Sequence, residues 1–132
     1  MKLKIVTVGK LSLKPVKALT EEYAKRIGRY LPIEFIDEKI SKEDFLIVLD
    51  EKGKAFTSRE FAGWLEEKKI RSVKNLAFLI GPGEGLSEEI KSKAQFVLSL
   101  SKMTLQHELA LVILLEQIYR ACTILKGEPY HK

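Results

Sequence analysis

Two stretches of this 132-residue chain carry residue types at spacings that suit ligand chemistry. The first is Gly81-Pro82-Gly83-Glu84-Gly85, directly after the apolar run Leu76 to Ile80. Glycines there let the main chain approach a ligand closely and adopt positive φ, and open α/β sheets bind ligands at the carboxyl ends of their strands. No Gly-Lys-Ser/Thr follows and no GxGxxG opens the first strand, so neither a Walker A loop nor a dinucleotide fingerprint is present. Taken alone, the stretch reads as a tight strand-to-helix turn. The second is Ser99-Leu100-Ser101-Lys102-Met103-Thr104-Leu105, which leaves the next strand at the same sheet edge. Two successive strand ends with small or hydroxyl residues make a pocket of amide donors and carbonyl acceptors. Such a pocket suits an adenine edge.

The titratable candidates are the two histidines. His107 opens the last helix, where a surface or capping residue is the ordinary occupant. His131 stands in the tail Glu128 to Lys132 beside Tyr130 and Lys132. Spacing alone favours a frayed terminus there; the alternative is a mobile tail whose imidazole folds over a substrate. The single Cys122 lies among apolar residues and reads as an inert buried thiol. One cysteine excludes an internal disulfide, and no Cys/His cluster offers a metal site, so a reducing compartment and no metal are expected. The N-terminus lacks a signal-peptide pattern, and the longest apolar run, Leu109 to Leu115, is far short of a membrane span. A cytoplasmic protein without a membrane partner is expected.

The charge is uneven. The chain carries a net +5, yet residues 1–29 hold eight cations (Lys2, Lys4, Lys10, Lys14, Lys17, Lys25, Arg26, Arg29) against Glu21 and Glu22. The remainder is near balance. A polyanion therefore meets the N-terminal end first, and Lys14, Lys17, Lys25 and Arg29 fall together on one helix face as candidate phosphate contacts, unless that face is merely solvated.

The elements that must position these groups follow from periodicity. Leu3 to Val8 reads as a strand ended by Gly9. Pro15 opens a helix to about Tyr30, with Val16, Leu19, Tyr23, Ile27 and Tyr30 on one side. Ile33 to Asp37 and Phe45 to Leu49 are strands, the second apolar enough to be covered on both faces. A loop, Asp50 to Phe56, precedes Thr57, which stands three residues before Glu60 in a capping box for a helix carrying Phe61, Trp64 and Leu65 inward. Leu76 to Ile80 and Phe96 to Leu100 are further strands, separated by a short helix capped by Ser87. A helix of about twenty residues, closed by Gly127, ends the pattern. With no repeat or linker, residues 1–132 read as one α/β domain with a mostly parallel sheet flanked by helices. The connector Glu38 to Asp44 is too short for an ordinary parallel crossover, which leaves the second strand antiparallel, at an edge, or joined by a stretched passage.

From Glu108 to Lys126 apolar residues occupy nearly the whole helix circumference: Leu109, Leu111 to Leu115, Ile118, Tyr119, Cys122, Ile124 and Leu125. A helix on one sheet face needs only a stripe. Either the domain encloses this helix or a second copy covers its outer side. The small size of the domain favours a homodimer.

The blocks IVLDEKGK (Ile47 to Lys54), FLIGPGEGLS (Phe78 to Ser87), LSLSKMTLQHELA (Leu98 to Ala110) and EQIYRACTILKGEPYHK (Glu116 to Lys132) together resemble the RlmH (YbeA-type) branch of the SPOUT methyltransferases. The resemblance covers nearly the whole chain, and Tyr119-Arg120-Ala121 with Pro129-Tyr130-His131 are its most branch-specific parts. It implies a C-terminal trefoil knot, a rare exception to unknotted folds, that binds S-adenosyl-L-methionine, and a homodimer through the last helix. The implied reaction is methylation of the N3 ring nitrogen of a pseudouridine in helix 69 of 23S ribosomal RNA on the assembled ribosome.

Carried over position by position, the resemblance assigns cofactor contacts to Leu49, Gly81, Leu100, Ser101, Lys102, Met103, Thr104 and Leu105. It matches His107 at the start of the knot helix, and Tyr130 and His131 in the tail, with Lys132 where Arg is frequent. His131 is the candidate for a base or for orienting the acceptor base, Tyr130 for stacking or hydrogen bonding, and Arg120 and Lys132 for stabilising oxyanion charge. Lys14, Lys17, Lys25, Arg29 and Lys132 are the expected RNA contacts. The chain departs from the family at Gly-Pro-Gly, where relatives have Gly-Gly-Pro, and in lacking a helix between strands two and three. A SPOUT enzyme acting on transfer RNA and a non-enzymatic α/β binding module are the alternatives.

Overall fold

A computed structural model describes residues 1–37, 40–82 and 86–132. The glycines expected to shape the second half of the Gly81 to Gly85 turn, Gly83 and Gly85, lie outside the described residues, as does part of the connector before Ile40. The elements, in chain order, are β1 (Lys2–Thr7), α1 (Lys14–Ile27), β2 (Ile33–Asp37), β3 (Phe45–Ala55), α2 (Ser58–Ile70), β4 (Asn75–Ile80), α3 (Glu88–Ser92), β5 (Phe96–Ser99) and α4 (His107–Lys126).

The strands form one parallel sheet in the order β2-β1-β4-β3-β5. The second strand is thus an edge strand, parallel to its neighbour with Leu3 opposite Ile33; of the three placements its short connector allowed, antiparallel pairing is excluded. Residues 40–44 lead back into β3, and Asp44, buried, accepts from Lys4 Nζ at 3.0 Å. That ion pair ties the connector to the face of β1 that Lys4 shares with Val6.

Alternation of side chains divides the sheet into two covered faces. Leu3, Ile5, Ile47, Leu76, Phe78 and Leu98 face α1, α2 and α4. Val6, Leu46, Val48, Ala77 and Leu79 face the other way, under Leu86, Ile90 and Ala94 around α3. An unbroken apolar run such as Phe45 to Leu49 is what burial on both faces requires.

α4 lies between α1 and α2 on the sheet. Its Leu111, Leu114, Leu115, Ile118, Ala121 and Cys122 are all buried within the one chain. The two flanking helices cover most of its apolar surface within the one chain. What remains open is a stripe with Leu109 50% exposed, Val112 and Ile113 half-buried, and Leu125 40% exposed.

Two other expectations change. Leu19, expected on the buried side of α1, is 45% exposed, because the α1 contact runs through Val16, Thr20 and Ile27. Residues 50–55, expected as a loop, belong to β3, which pairs with β5 through Leu49, loops out, and re-pairs at Lys54 and Ala55.

Candidate functional site

Three adjacent strands, β4, β3 and β5, end side by side, and the segments that leave them enclose a cavity of about 570 Å³ at the start of α4. Leu49, Gly81, Leu100, Ser101, Met103, Thr104 and Leu105 all line it. Lys102 does not: its side chain is exposed, and the lining passes from Ser101 to Met103. Ile80, Leu86 and Ala110 complete apolar walls, and Asp50, Glu51, Lys52 and Lys91 supply the charge.

The β3 loop-out forms one side of the crevice, and a glycine permits it. A Cβ on Gly53 would stand 2.6 Å from the Val97 carbonyl oxygen, a main-chain atom with nowhere to go. Only glycine lets β3 fold this closely over β5. Across the mouth, Lys91 Nζ meets Asp50 at 2.5 Å and joins α3 to β3. The hydrogen bond from Lys91, then the amide of Lys52, hold the Asp50 carboxyl below its usual range. Thr104 donates to Glu51 over the same opening. Within the loop after β5, Ser101 Oγ accepts from the Met103 amide at 3.0 Å, and Ser99 Oγ donates to the Ser101 carbonyl at 3.0 Å.

The N-terminus of α4 closes the crevice. The Gln106 side-chain oxygen caps it, accepting from the amides of Glu108 and Leu109 at 2.8 and 3.0 Å. His107 lines the cavity. Glu108 points the other way and is only 2% exposed. Its carboxylate accepts from the amides of Ser12 and Leu13 and from Ser12 Oγ, at 2.8, 3.1 and 2.8 Å. α1 has no side-chain N-cap of its own, so a carboxylate from α4 satisfies donors at its entry. Those bonds, led by the Leu13 amide, lower the Glu108 pKa.

The tail is docked rather than frayed. Gly127 closes α4 in the left-handed region, φ 70°, and turns the chain back on itself. Tyr130 donates to Glu116 Oε2 at 3.0 Å, lies 3.5 Å from the Tyr23 hydroxyl, and packs edge-on against Tyr119 at 4.6 Å. Burial, reinforced by those two partners, raises the Tyr130 hydroxyl well above its ordinary pKa. The Arg120 guanidinium sits 4.8 Å over the Tyr130 ring, holds Glu116 through Nε and Nη2, and reaches His131 Nδ1 through Nη1 at 3.0 Å. Tyr30 donates to Glu128, and burial with that bond pushes its pKa up to about 12. Arg120, Tyr130 and His131 are therefore brought together. They lie over the C-terminal half of α4, where Arg120 is thirteen residues, about 20 Å of helix rise, from His107.

Lys14, Lys17, Lys25, Arg29 and Lys132 are all exposed. Other N-terminal cations are engaged: Lys4 with Asp44, Lys2 with Glu34, and Arg26 with Glu22. Cys122 is buried, which pushes its thiol up to about 11, so it carries no thiolate at neutral pH. Among the described residues, no group of three or more His, Cys, Asp or Glu is gathered as a metal would need, and no helix is long and apolar enough to cross a membrane.

Sequence reasoning missed Asp50, Glu51, Lys91, Glu108 and Glu116. Glu116 had a visible signal, an i,i+4 spacing to Arg120; the others are joined across elements by tertiary geometry.

Comparison with known proteins places this arrangement in context. A family model described as predicted SPOUT methyltransferase matches residues 1–131. Among curated relatives, the ribosomal RNA large subunit methyltransferase H of Coprothermobacter proteolyticus is 46% identical over 139 residues, and that of Clostridium botulinum is 42% identical over 159, each match covering 100% of both chains. A probable methylase family protein from Haemophilus influenzae shares the fold, with a TM-score of 0.61 at 14% identity, over 98% of this chain and 70% of that one. The SpoU methyltransferase AviRb of Streptomyces viridochromogenes, solved in complex with AdoMet, aligns with a TM-score of 0.55 at 12% identity, over 97% of this chain and 59% of that one.

Proposed function

The chain belongs to the SPOUT methyltransferase family, and from that premise we propose that it methylates large-subunit ribosomal RNA with S-adenosyl-L-methionine as donor. More finely, the acceptor is the N3 ring nitrogen of a pseudouridine in helix 69 of 23S ribosomal RNA on the assembled ribosome. The relatives' name supports the RNA class. The observation that carries the reading is the convergence of three strand-end segments on one crevice at the start of α4.

The crevice fits the donor chemically. Its size falls in the range of small-molecule sites, roughly 300–1,000 Å³. Apolar walls from Leu49, Ile80, Leu100 and Leu105 suit a purine, and main chain at Gly81 and Ser101 offers donors and acceptors to its edge. Carboxylates at Asp50 and Glu51 suit a ribose diol and a sulfonium, and Lys52 and Lys91 suit the carboxylate of an amino acid. Contacts from Leu49, Gly81, Leu100, Ser101, Met103, Thr104 and Leu105 belong to this proposal; Lys102, outside the lining, is assigned none.

Bound, the sulfonium supplies an electrophilic methyl group that transfers in line, so the protein's task is alignment and charge stabilisation. An imide nitrogen between two carbonyls is a poor nucleophile until its proton leaves, and the charge then spreads onto those oxygens. Arg120, Tyr130, His131 and Lys132 are the groups suited to meet it. Of these, Arg120 stands about 20 Å along α4 from His107 in the crevice of the same chain. A homodimer through α4 resolves this: antiparallel pairing across the partly exposed stripe of Leu109, Val112 and Ile113 sets each protomer's tail beside its partner's crevice. Exposed Lys14, Lys17, Lys25 and Arg29 contact phosphates around the acceptor.

The test is mass spectrometry of RNA after incubating the purified protein with methyl-labelled donor. One methyl group on a helix 69 pseudouridine, from ribosomes but not from free transfer RNA, is expected. Methylation of transfer RNA instead, or no binding of the donor by calorimetry, overturns the reading.

A further inference from the structure

The His131 contact fixes which ring nitrogen carries hydrogen. A guanidinium has five N–H donors and no lone pair to offer. At 3.0 Å, Arg120 Nη1 must donate to His131 Nδ1, which therefore accepts. The hydrogen of the neutral ring is then on Nε2, the nitrogen that no described residue engages. What aims Arg120 is Glu116: it takes Nε and Nη2 at 3.2 and 2.9 Å, a fork that leaves Nη1 pointing at the imidazole. The same carboxylate accepts from Tyr130 at 3.0 Å. Two of the contacts that anchor the end of the tail, through Tyr130 and through Arg120 to His131, thus converge on one side chain.

We propose that Glu116 is a positioning residue for methyl transfer: through Arg120 it holds His131 as the Nε2–H tautomer, so that His131 meets the acceptor base as a hydrogen-bond donor rather than as a proton acceptor. The inference rests on the methyltransferase reading and assigns the role of its tail. The Nε2–H donates to a carbonyl oxygen beside the reacting nitrogen. As that nitrogen releases its proton to solvent water, the donor stabilises the charge arriving on the oxygen. The nitrogen lone pair then bonds the methyl carbon while the carbon–sulfur pair returns to sulfur, and His131 keeps its hydrogen throughout. The cation behind Nδ1 polarises the ring and strengthens the donor. A donor at this point also selects among bases, matching a uracil-type carbonyl and opposing the exocyclic amino group of cytosine.

With only two histidines in the chain, nitrogen-15 spectra of the whole protein resolve the tautomer directly. Wild type is expected to show His131 protonated at Nε2 and not at Nδ1, and Glu116→Ala to show a mixture. Glu116→Ala should lower kcat about tenfold, Glu116→Gln, which keeps an acceptor, should recover most of it, and donor affinity should stay within about twofold in both. His131→Gln, which keeps an N–H donor, should turn over about tenfold faster than His131→Ala. A wild-type His131 protonated at Nδ1, a His131→Gln no faster than His131→Ala, or a Glu116→Ala that loses donor affinity as much as turnover overturns the assignment. A wild type that methylates with the wrong tautomer sinks this inference alone. One that methylates no RNA sinks the functional reading and the role built on it.

Discussion

The two ends of α4 carry different kinds of candidate site. At its N-terminal end, strand-end main chain and apolar side chains shape a crevice, and what holds that crevice in form is backbone fit, seen in the 2.6 Å at which a Cβ added to Gly53 would meet the Val97 carbonyl oxygen. At its C-terminal end, the arrangement rests on side chains, a network of Glu116, Arg120, Tyr130 and His131 laid over a tail that Gly127 turns back. A site made of main chain tolerates most side-chain changes and fails when the fold shifts. A site made of side chains fails residue by residue while the fold stands.

The largest expected effect tests that separation outright. Removing Tyr130, His131 and Lys132 should lower turnover on ribosomes by on the order of a thousandfold while donor affinity by calorimetry stays close to wild type. A parallel fall in donor affinity would mean that the tail itself holds the donor. Next comes Gly53→Ala, which sets a methyl group against a carbonyl that cannot retreat. It should cost about 1–3 kcal/mol of stability, read from the denaturant midpoint, and weaken donor binding, whereas Lys52→Ala beside it should leave the midpoint in place.

The same division explains what could be read from the residues. The crevice was legible because strand ends are: the apolar run Phe45 to Leu49 and the turn at Gly81 mark where main chain is free to meet a ligand, and the Thr57–Glu60 capping box forms as its spacing requires. The return of β3 was not legible, because Asp50 to Ala55 has the composition of a polar turn and pairs only through its register with Leu98 and Ser99. Glu116 and Glu108 look like ordinary solvated helix residues. Nothing local says that a tail fourteen residues on, or a loop ninety-six residues back, supplies their partners. Nor does periodicity tell that α1 and α2 both flank α4, so how much of its apolar surface the one chain covers could not be read from the sequence.

A smaller effect concerns RNA, and it asks whether the C-terminal end works beyond its own side chains. With Lys17, Lys25 and Arg29 changed to Ala, the slope of log affinity against log salt should flatten by about 0.7–0.9 for each lost phosphate contact, with turnover at saturating ribosome unchanged. An unmoved slope would leave that face merely solvated.

The smallest effect is a pH dependence at the other end, where one carboxylate breaks the rule that main chain does the work. The amide of Leu13 and the donors of Ser12 lower the Glu108 pKa in the folded protein. A depressed carboxylate contributes stability above its unfolded value, about 4.3, and loses that contribution as pH falls through its lower folded value. Glu108→Gln keeps an acceptor oxygen but turns N–H donors toward the Ser12 and Leu13 amides. It should unfold below the wild-type thermal midpoint at neutral pH, and the gap should close as acid protonates the wild-type carboxylate. A gap that stays constant from pH 7 to about pH 3 would show that the shape of the side chain, not its charge, anchors α1 to the start of α4. The start of α4 would then be held by fit rather than by charge, in contrast to the charged network at its other end.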